Sequence, residues 1–151
     1  MKVKLLILAD DLTGCSDCAS FFSDLNLKVL IIPFFKYEKR NYKADVLIFN
    51  TQSRHLKGVE AYRRNLFILK NYRAEKIYKK FDSTLRGNLI PEIKSILKFF
   101  STIRYLPFAI RFIPLCFSFP EQGRTTKDGI HYVDGKIITK TQFSKDPHFP
   151  V

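Results

Sequence analysis

Residues Leu5-Leu-Ile-Leu-Ala9 form an unbroken apolar run that ends abruptly at Asp10-Asp11-Leu12-Thr13-Gly14. A run of that length without polar alternation is what a strand covered on both faces requires, and such strands belong to parallel sheets with helices on either side. Small and apolar residues then recur at Cys18, Ala19, Phe21, Phe22 and Leu25, which predicts a helix over 15–25 with Thr13 or Ser16 as its cap. Strand, tight turn and helix in that order open a βαβ unit.

The pattern repeats along the chain. Lys28–Pro33 and Asp45–Asn50 read as strands separated by a charged loop over 36–43, and Gly58–Tyr72 carries apolar residues at helical spacing. Lys76–Lys80 reads as a fourth strand, followed by the polar turn Asp82-Ser-Thr-Leu-Arg-Gly-Asn88. Pro91 suits a first helical turn, where its missing N–H costs little, and Ile93, Ile96, Leu97 and Phe100 continue one apolar face. A fifth strand is expected within Phe108–Phe117. Beyond Pro120, residues 121–126 read as a polar loop, and Asp134-Gly135 between apolar pairs signals a β-hairpin. The fold expected is α/β: a three-layer, mostly parallel sheet with helices on both faces, plus a hairpin near the C-terminus.

Composition narrows the function classes. The 151 residues are 46% hydrophobic, enough for one core and too apolar for a disordered chain. The net charge is +12, yet the first 35 residues hold three Lys or Arg against four Asp or Glu. The remaining basic residues are scattered and no RNA- or DNA-binding motif accompanies them, so no nucleic-acid partner is expected. The apolar stretch 103–120 is broken by two arginines and two prolines within its first twelve residues, so no membrane span is expected either. Three cysteines without a leader fit a reducing cytoplasm.

Ligands of open α/β sheets bind beyond the carboxyl ends of the strands. Three polar clusters fall there: Asp10 to Gly14, Thr51-Gln52-Ser53-Arg54, and Asp82 to Asn88. Arg54 and Arg86 can each grip a carboxylate through two N–H donors, with Lys79 or Lys80 adding a point charge. Asp10, Asp11 and Asp82 can accept hydrogen bonds from hydroxyls, and Asp11 and Asp82 are candidate proton acceptors. Ser83 and Gly87 complete the last turn, and Gly87-Asn88 before a helix offers backbone N–H groups to an anion. The convergence points to a small polyhydroxylated anion.

Two other chemistries compete. Cys15-Ser16-Asp17-Cys18 is a C-x-x-C pair at a helix start, where thiol pKa values fall in redox proteins. The turn before it is not one that redox chemistry needs, and the Trp and Pro that flank such pairs in thioredoxins are missing. His55, His131 and His148 have no ligand-like spacing, so no metal site is expected. Neither G-x-x-x-x-G-K-[ST] nor G-x-G-x-x-G occurs, so no nucleotide site is expected within this chain.

The motifs together resemble the four-carbon acid sugar kinases, which phosphorylate threonate, erythronate or 3-oxo-tetronate with ATP. The resemblance rests on Ala9-Asp-Asp-Leu-Thr-Gly14, Ser53-Arg54, Lys79-Lys-Phe-Asp-Ser-Thr-Leu-Arg-Gly-Asn88 and Phe119-Pro-Glu-Gln-Gly-Arg-Thr125. It continues through Gly129, Tyr132-Val133 and Asp146-Pro147. It implies that residues 1–151 are part of an N-terminal acid-sugar-binding domain, with Asp11, Arg54, Asp82, Arg86 and Arg124 around the substrate, to which the strand-end reading adds Asp10, Ser83 and Gly87. It further implies that ATP and Mg²⁺ are bound mainly by a C-terminal domain absent from this chain, which alone would be inactive. A separate C-terminal half or a homo-oligomer would complete it. The competing expectations are an inactive remnant, a small-anion binding module, or a thiol protein using Cys15 and Cys18. Cys15, and Phe117-Ser118 before Phe119-Pro120, depart from the family's pattern.

Overall fold

The computed structural model describes residues 3–102 and 113–147. Four parallel strands, β1 (Val3–Ala9), β2 (Val29–Ile32), β3 (Val46–Asn50) and β4 (Ala74–Lys80), form a sheet in the order β2-β3-β1-β4. β1 and β3 lie inside, which accounts for their apolar runs: Leu6, Ile7, Leu8, Leu47 and Ile48 are almost wholly buried. Each such side chain contributes about 1.5–3 kcal/mol relative to exposure.

Alternation along β1 and β3 divides the core in two. Ile7, Ala9, Val46 and Ile48 face helix α1 (Leu12–Ser20) through Cys15 and Cys18. Leu6, Leu8, Leu47 and Phe49 face Ile68 and Leu69 of α2 (Gly58–Asn71) and Ile96 of α3 (Leu89–Ser101). Helices thus cover both faces, as the sequence implies. The charged loop between β2 and β3 is pinned by aromatic contacts, Tyr42 stacking on Tyr72 with ring centroids 6.0 Å apart.

α1 starts earlier and ends earlier than its apolar spacing suggests, and its cap is neither Thr13 nor Ser16. The backbone of Asp11 is extended and its carboxylate accepts from Gly14 N at 2.7 Å, so Asp11 is the N-cap. Phe21 and Leu25, counted into the helix from their spacing, lie beyond it and are exposed.

A second sheet, β5 (Arg124–Lys127), β6 (Ile130–Val133) and β7 (Lys136–Ile137), is antiparallel. The hairpin at Asp134-Gly135 is present, with both residues at positive φ as a tight hairpin turn requires. Residues 121–126 are not a loop throughout: a 3₁₀ turn at Pro120–Gln122 leads directly into β5. The missed signal is a second Asp-Gly pair, Asp128-Gly129, which also adopts positive φ and turns β5 into β6. Of the fifth strand expected within 108–117, residues 108–112 lie outside the described residues and 113–117 run as irregular chain.

Candidate functional site

Strand register builds the site. Ala9 pairs with Asn50 on one side and Lys80 on the other, so the segments leaving β1, β3 and β4 emerge level with one another. Thr51 locks two of them together, its N and its Oγ1 both donating to Ala9 O at 2.8 Å.

Arg54 is the centre of the first cluster. Its Nε and Nη2 donate to the two oxygens of Asp10 at 2.8 and 3.2 Å, while Nη1 lies 2.7 Å from Asp11 Oδ2. Asp11 therefore divides its work, one oxygen capping α1 and the other meeting Arg54. Asp10 is buried and consumed by its partner, whereas Asp11 is 27% exposed. Burial opposes the charge on Arg54, and the hydrogen bond and charge of Asp10, with Asp82 and Asp11, more than restore it, raising its pKa.

The turn after β4 forms the second cluster. Asp82 accepts from Arg86 Nε at 2.7 Å, from the Arg86 backbone N at 3.3 Å and from Thr84 Oγ1. Burial would raise the Asp82 pKa, but the bonds from Arg86 and Thr84 and the charges of Arg54 and Arg86 hold it below its ordinary value. Arg86 is about a third exposed, lies over the Phe143 ring at 5.5 Å and sets Nη1 3.9 Å from Asp146. Gly87 joins the clusters. At φ +99°, it sits where an added Cβ would stand 3.4 Å from Asp10 Oδ2 and 3.5 Å from Arg54 Cγ.

Asn88 is not used as a side-chain cap for α3. Its Nδ2 donates to Ser53 O at 2.8 Å and Leu56 O at 2.9 Å, clamping the loop after β3 against the helix start. Ser83 enters through its backbone: its carbonyl accepts from His131 Nε2 at 2.7 Å, and His131 Nδ1 lies 3.0 Å from Thr126 Oγ1. With Nε2 as the donor, Nδ1 of a neutral ring accepts from the Thr126 hydroxyl. His131 thereby docks the antiparallel sheet onto the turn at Asp82.

Asp10, Asp11, Arg54, Asp82, Arg86 and Gly87 thus share one region. Arg124 stands on β5 instead, donating from Nη1 to the Gln122 carbonyl. Lys79 is not an exposed point charge: its ammonium lies 3.0 Å from Glu92 Oε2 and both side chains are buried. Glu92 escapes a motif search, although its place four residues before Ile96 on the apolar face of α3 marks it as an inward-facing acid. A cavity of about 690 Å³ beside β4, lined by Ile77, Phe81, Ile96 and Phe117, touches this region through Ser83, and none of the paired aspartates or arginines lines it.

The cysteine pair does not have the setting of a redox site. Cys15 and Cys18 are buried free thiols. Burial, with Cys18 and Asp11 nearby, pushes Cys15 up to about 12, and burial likewise raises Cys18. The negative cap Asp11 works against any lowering by the helix N-terminus. Among the described residues no three His, Cys, Asp or Glu side chains are grouped to hold a metal ion, and no helix is long and apolar enough to cross a membrane.

A family described as "Sugar-binding N-terminal domain" matches residues 5–151. The chain belongs to this family. It is 29% identical to a D-threonate kinase of Salmonella typhimurium over 99% of its own length and 34% of the relative's. It is 32% identical to a D-erythronate kinase of Heliobacterium modesticaldum, with 98% and 33% covered, and 28% identical to a 3-oxo-tetronate kinase of Escherichia coli, with 99% and 38% covered. Among solved structures, a Bordetella bronchiseptica protein described as a domain of unknown function, a domain-swapped dimer with bound citrate, superimposes with a TM-score of 0.79. It is 28% identical, covering 97% of this chain and 37% of that one. The chain therefore spans about a third of the length of the curated kinases it matches.

Proposed function

We propose that this chain is the substrate-binding part of an ATP-dependent kinase for four-carbon acid sugars of the threonate, erythronate or 3-oxo-tetronate type. The observation that carries the reading is the meeting, across Gly87, of the Asp10–Arg54–Asp11 cluster with the Asp82–Arg86 pair at the carboxyl ends of β1, β3 and β4. In this reading the exposed part of the Arg86 fork takes the substrate carboxylate. The partly exposed Asp11 carboxylate accepts from its hydroxyls, and Asp11 and Asp82 are the candidates to take a proton from the reacting one. Asp10 orients Arg54 rather than touching substrate. Ser83 and Gly87 shape the turn, and Arg124 approaches from the antiparallel sheet that His131 docks.

ATP and Mg²⁺ are assigned to polypeptide equivalent to the two-thirds of the kinases that this chain does not span, whether in the same chain or a separate one. Each of the grouped aspartates is paired with an arginine, and no metal-dependent step is assigned to them. A homo-oligomer is part of the same reading, since the Bordetella bronchiseptica relative is a dimer.

Thermal unfolding tests the reading, because a ligand that binds only the native state stabilises it by about 2.7 kcal/mol at a hundredfold excess over Kd. D-threonate or D-erythronate should raise the melting temperature, and the uncharged tetritols, which lack the carboxylate, should raise it far less. No shift with any four-carbon acid would contradict the reading.

A further inference from the structure

Beneath the candidate site lies a polar network that substrate chemistry does not call for. Lys79 on β4 and Glu92 on α3 form an ion pair 3.0 Å long whose side chains are 4% and 1% exposed. The second carboxylate oxygen of Glu92 accepts from Ser53 Oγ and, at 3.3 Å, from Asn65 Nδ2 of α2. Asn65 Nδ2 also donates to Ala61 O at 2.9 Å, while its buried Oδ1 has no hydrogen-bond partner among the described residues. The amide is thus turned to serve Glu92 at the expense of its own acceptor.

Burying two charges is a poor route to stability, since desolvation offsets most of their attraction and apolar residues of similar volume do as well. The directional value of the pair is larger. Ser53 immediately precedes Arg54, and its hydroxyl is the one side-chain link from that loop to Glu92 among the described residues. The Ser53 backbone is fixed separately, its N donating to Asp10 O at 3.0 Å and its carbonyl accepting from Asn88. The hydroxyl, which also meets Thr51 Oγ1 at 2.6 Å, adds a third direction toward Glu92, and three directions define the orientation from which Arg54 reaches Asp10 and Asp11.

We propose that Glu92, held by Lys79, is a positioning residue that sets the Arg54 guanidinium through Ser53. That the region around Arg54 binds substrate rests on the reading above; the placement of Arg54 by Ser53 and Glu92 does not, so the two can fail separately.

The test needs no ligand. In the full chain labelled with ¹⁵N-arginine, the Arg54 Nε–H resonance is assigned by its loss in Arg54→Lys, and its solvent exchange is measured beside that of the Ile7 and Ile48 amides in separately backbone-labelled protein. Ser53→Ala and Glu92→Ala should each speed Arg54 Nε–H exchange by about tenfold while Ile7 and Ile48 stay protected. Glu92→Gln, whose amide oxygen still accepts from Ser53, should recover part of the protection. Unchanged Arg54 exchange in Ser53→Ala would overturn the proposal. So would parallel loss at Ile7 and Ile48, which would make the network general core support. Should Glu92→Ala fail to fold, Ser53→Ala decides, because it leaves the Lys79–Glu92 pair intact.

Discussion

The guanidinium of Arg54 meets the carboxylate of Asp10, 44 positions earlier in the chain, through two hydrogen bonds of 2.8 and 3.2 Å in a region where Asp10 is 3% exposed. Two adjacent parallel strands are tied at their ends by one planar fork, and the position of everything built on Arg54 depends on it.

Breaking that fork should be costly. Arg54→Ala leaves Asp10 charged and buried without its partner, so urea unfolding should show a loss of about 3–5 kcal/mol. Arg86→Ala removes a more exposed partner and should cost about 1 kcal/mol or less. On the proposed function, the order reverses for ligand affinity per unit of lost stability, with Arg86→Ala abolishing D-threonate binding in a folded protein.

Asp82 supplies an acid limb to the stability curve. Its folded pKa lies below the ordinary 3.8 despite burial, because Arg86, Thr84 and Arg54 favour the charged form. The associated stabilisation is present above that ordinary value and is lost as pH falls through the lower folded value. Stability followed from pH 6 towards pH 2 should therefore fall less steeply in Asp82→Asn than in the parent. Equal slopes would show that Asp82 is not held by its partners.

Gly87 should tolerate no side chain. Its φ of +99° is strained for any L-residue, and its neighbours at 3.4–3.6 Å are the Asp10–Arg54 pair itself. Gly87→Ala should cost about 1–3 kcal/mol, measured by urea unfolding. An unaltered midpoint would mean that the turn relaxes freely.

Thiol titration separates the cysteines. In native protein, Ellman's reagent should react promptly with the exposed Cys116, while Cys15 and Cys18, buried and held protonated, should react only on unfolding. Prompt reaction of the C-x-x-C pair would revive a redox role.

The fold was largely legible because β1 and β3 are buried on both faces, and an unbroken apolar run has few other places to go. The carboxyl-end rule places Asp10, Asp11, Arg54, Asp82 and Arg86 in one region from the sequence alone. What the sequence does not display is the partnering. One guanidinium serving two aspartates, or Glu92 reaching Ser53 and Lys79, depends on the packing of segments 13–44 residues apart. The cap of α1 is hidden because Thr13 and Ser16 are equally good capping residues by type, whereas Asp11 both caps the helix and meets Arg54. β5 was hidden because a short polar edge strand has no apolar alternation, leaving Asp128-Gly129 as its signal.

The most direct measurement of the central claim is the map of backbone ¹H–¹⁵N resonances that move when D-threonate is added to the chain. Shifts should concentrate at Gly14, Arg54, Arg86, Gly87 and Asn88, saturate with added acid and be missing with the uncharged tetritol. Shifts confined to the cavity beside β4, or none at saturating D-threonate, would contradict it.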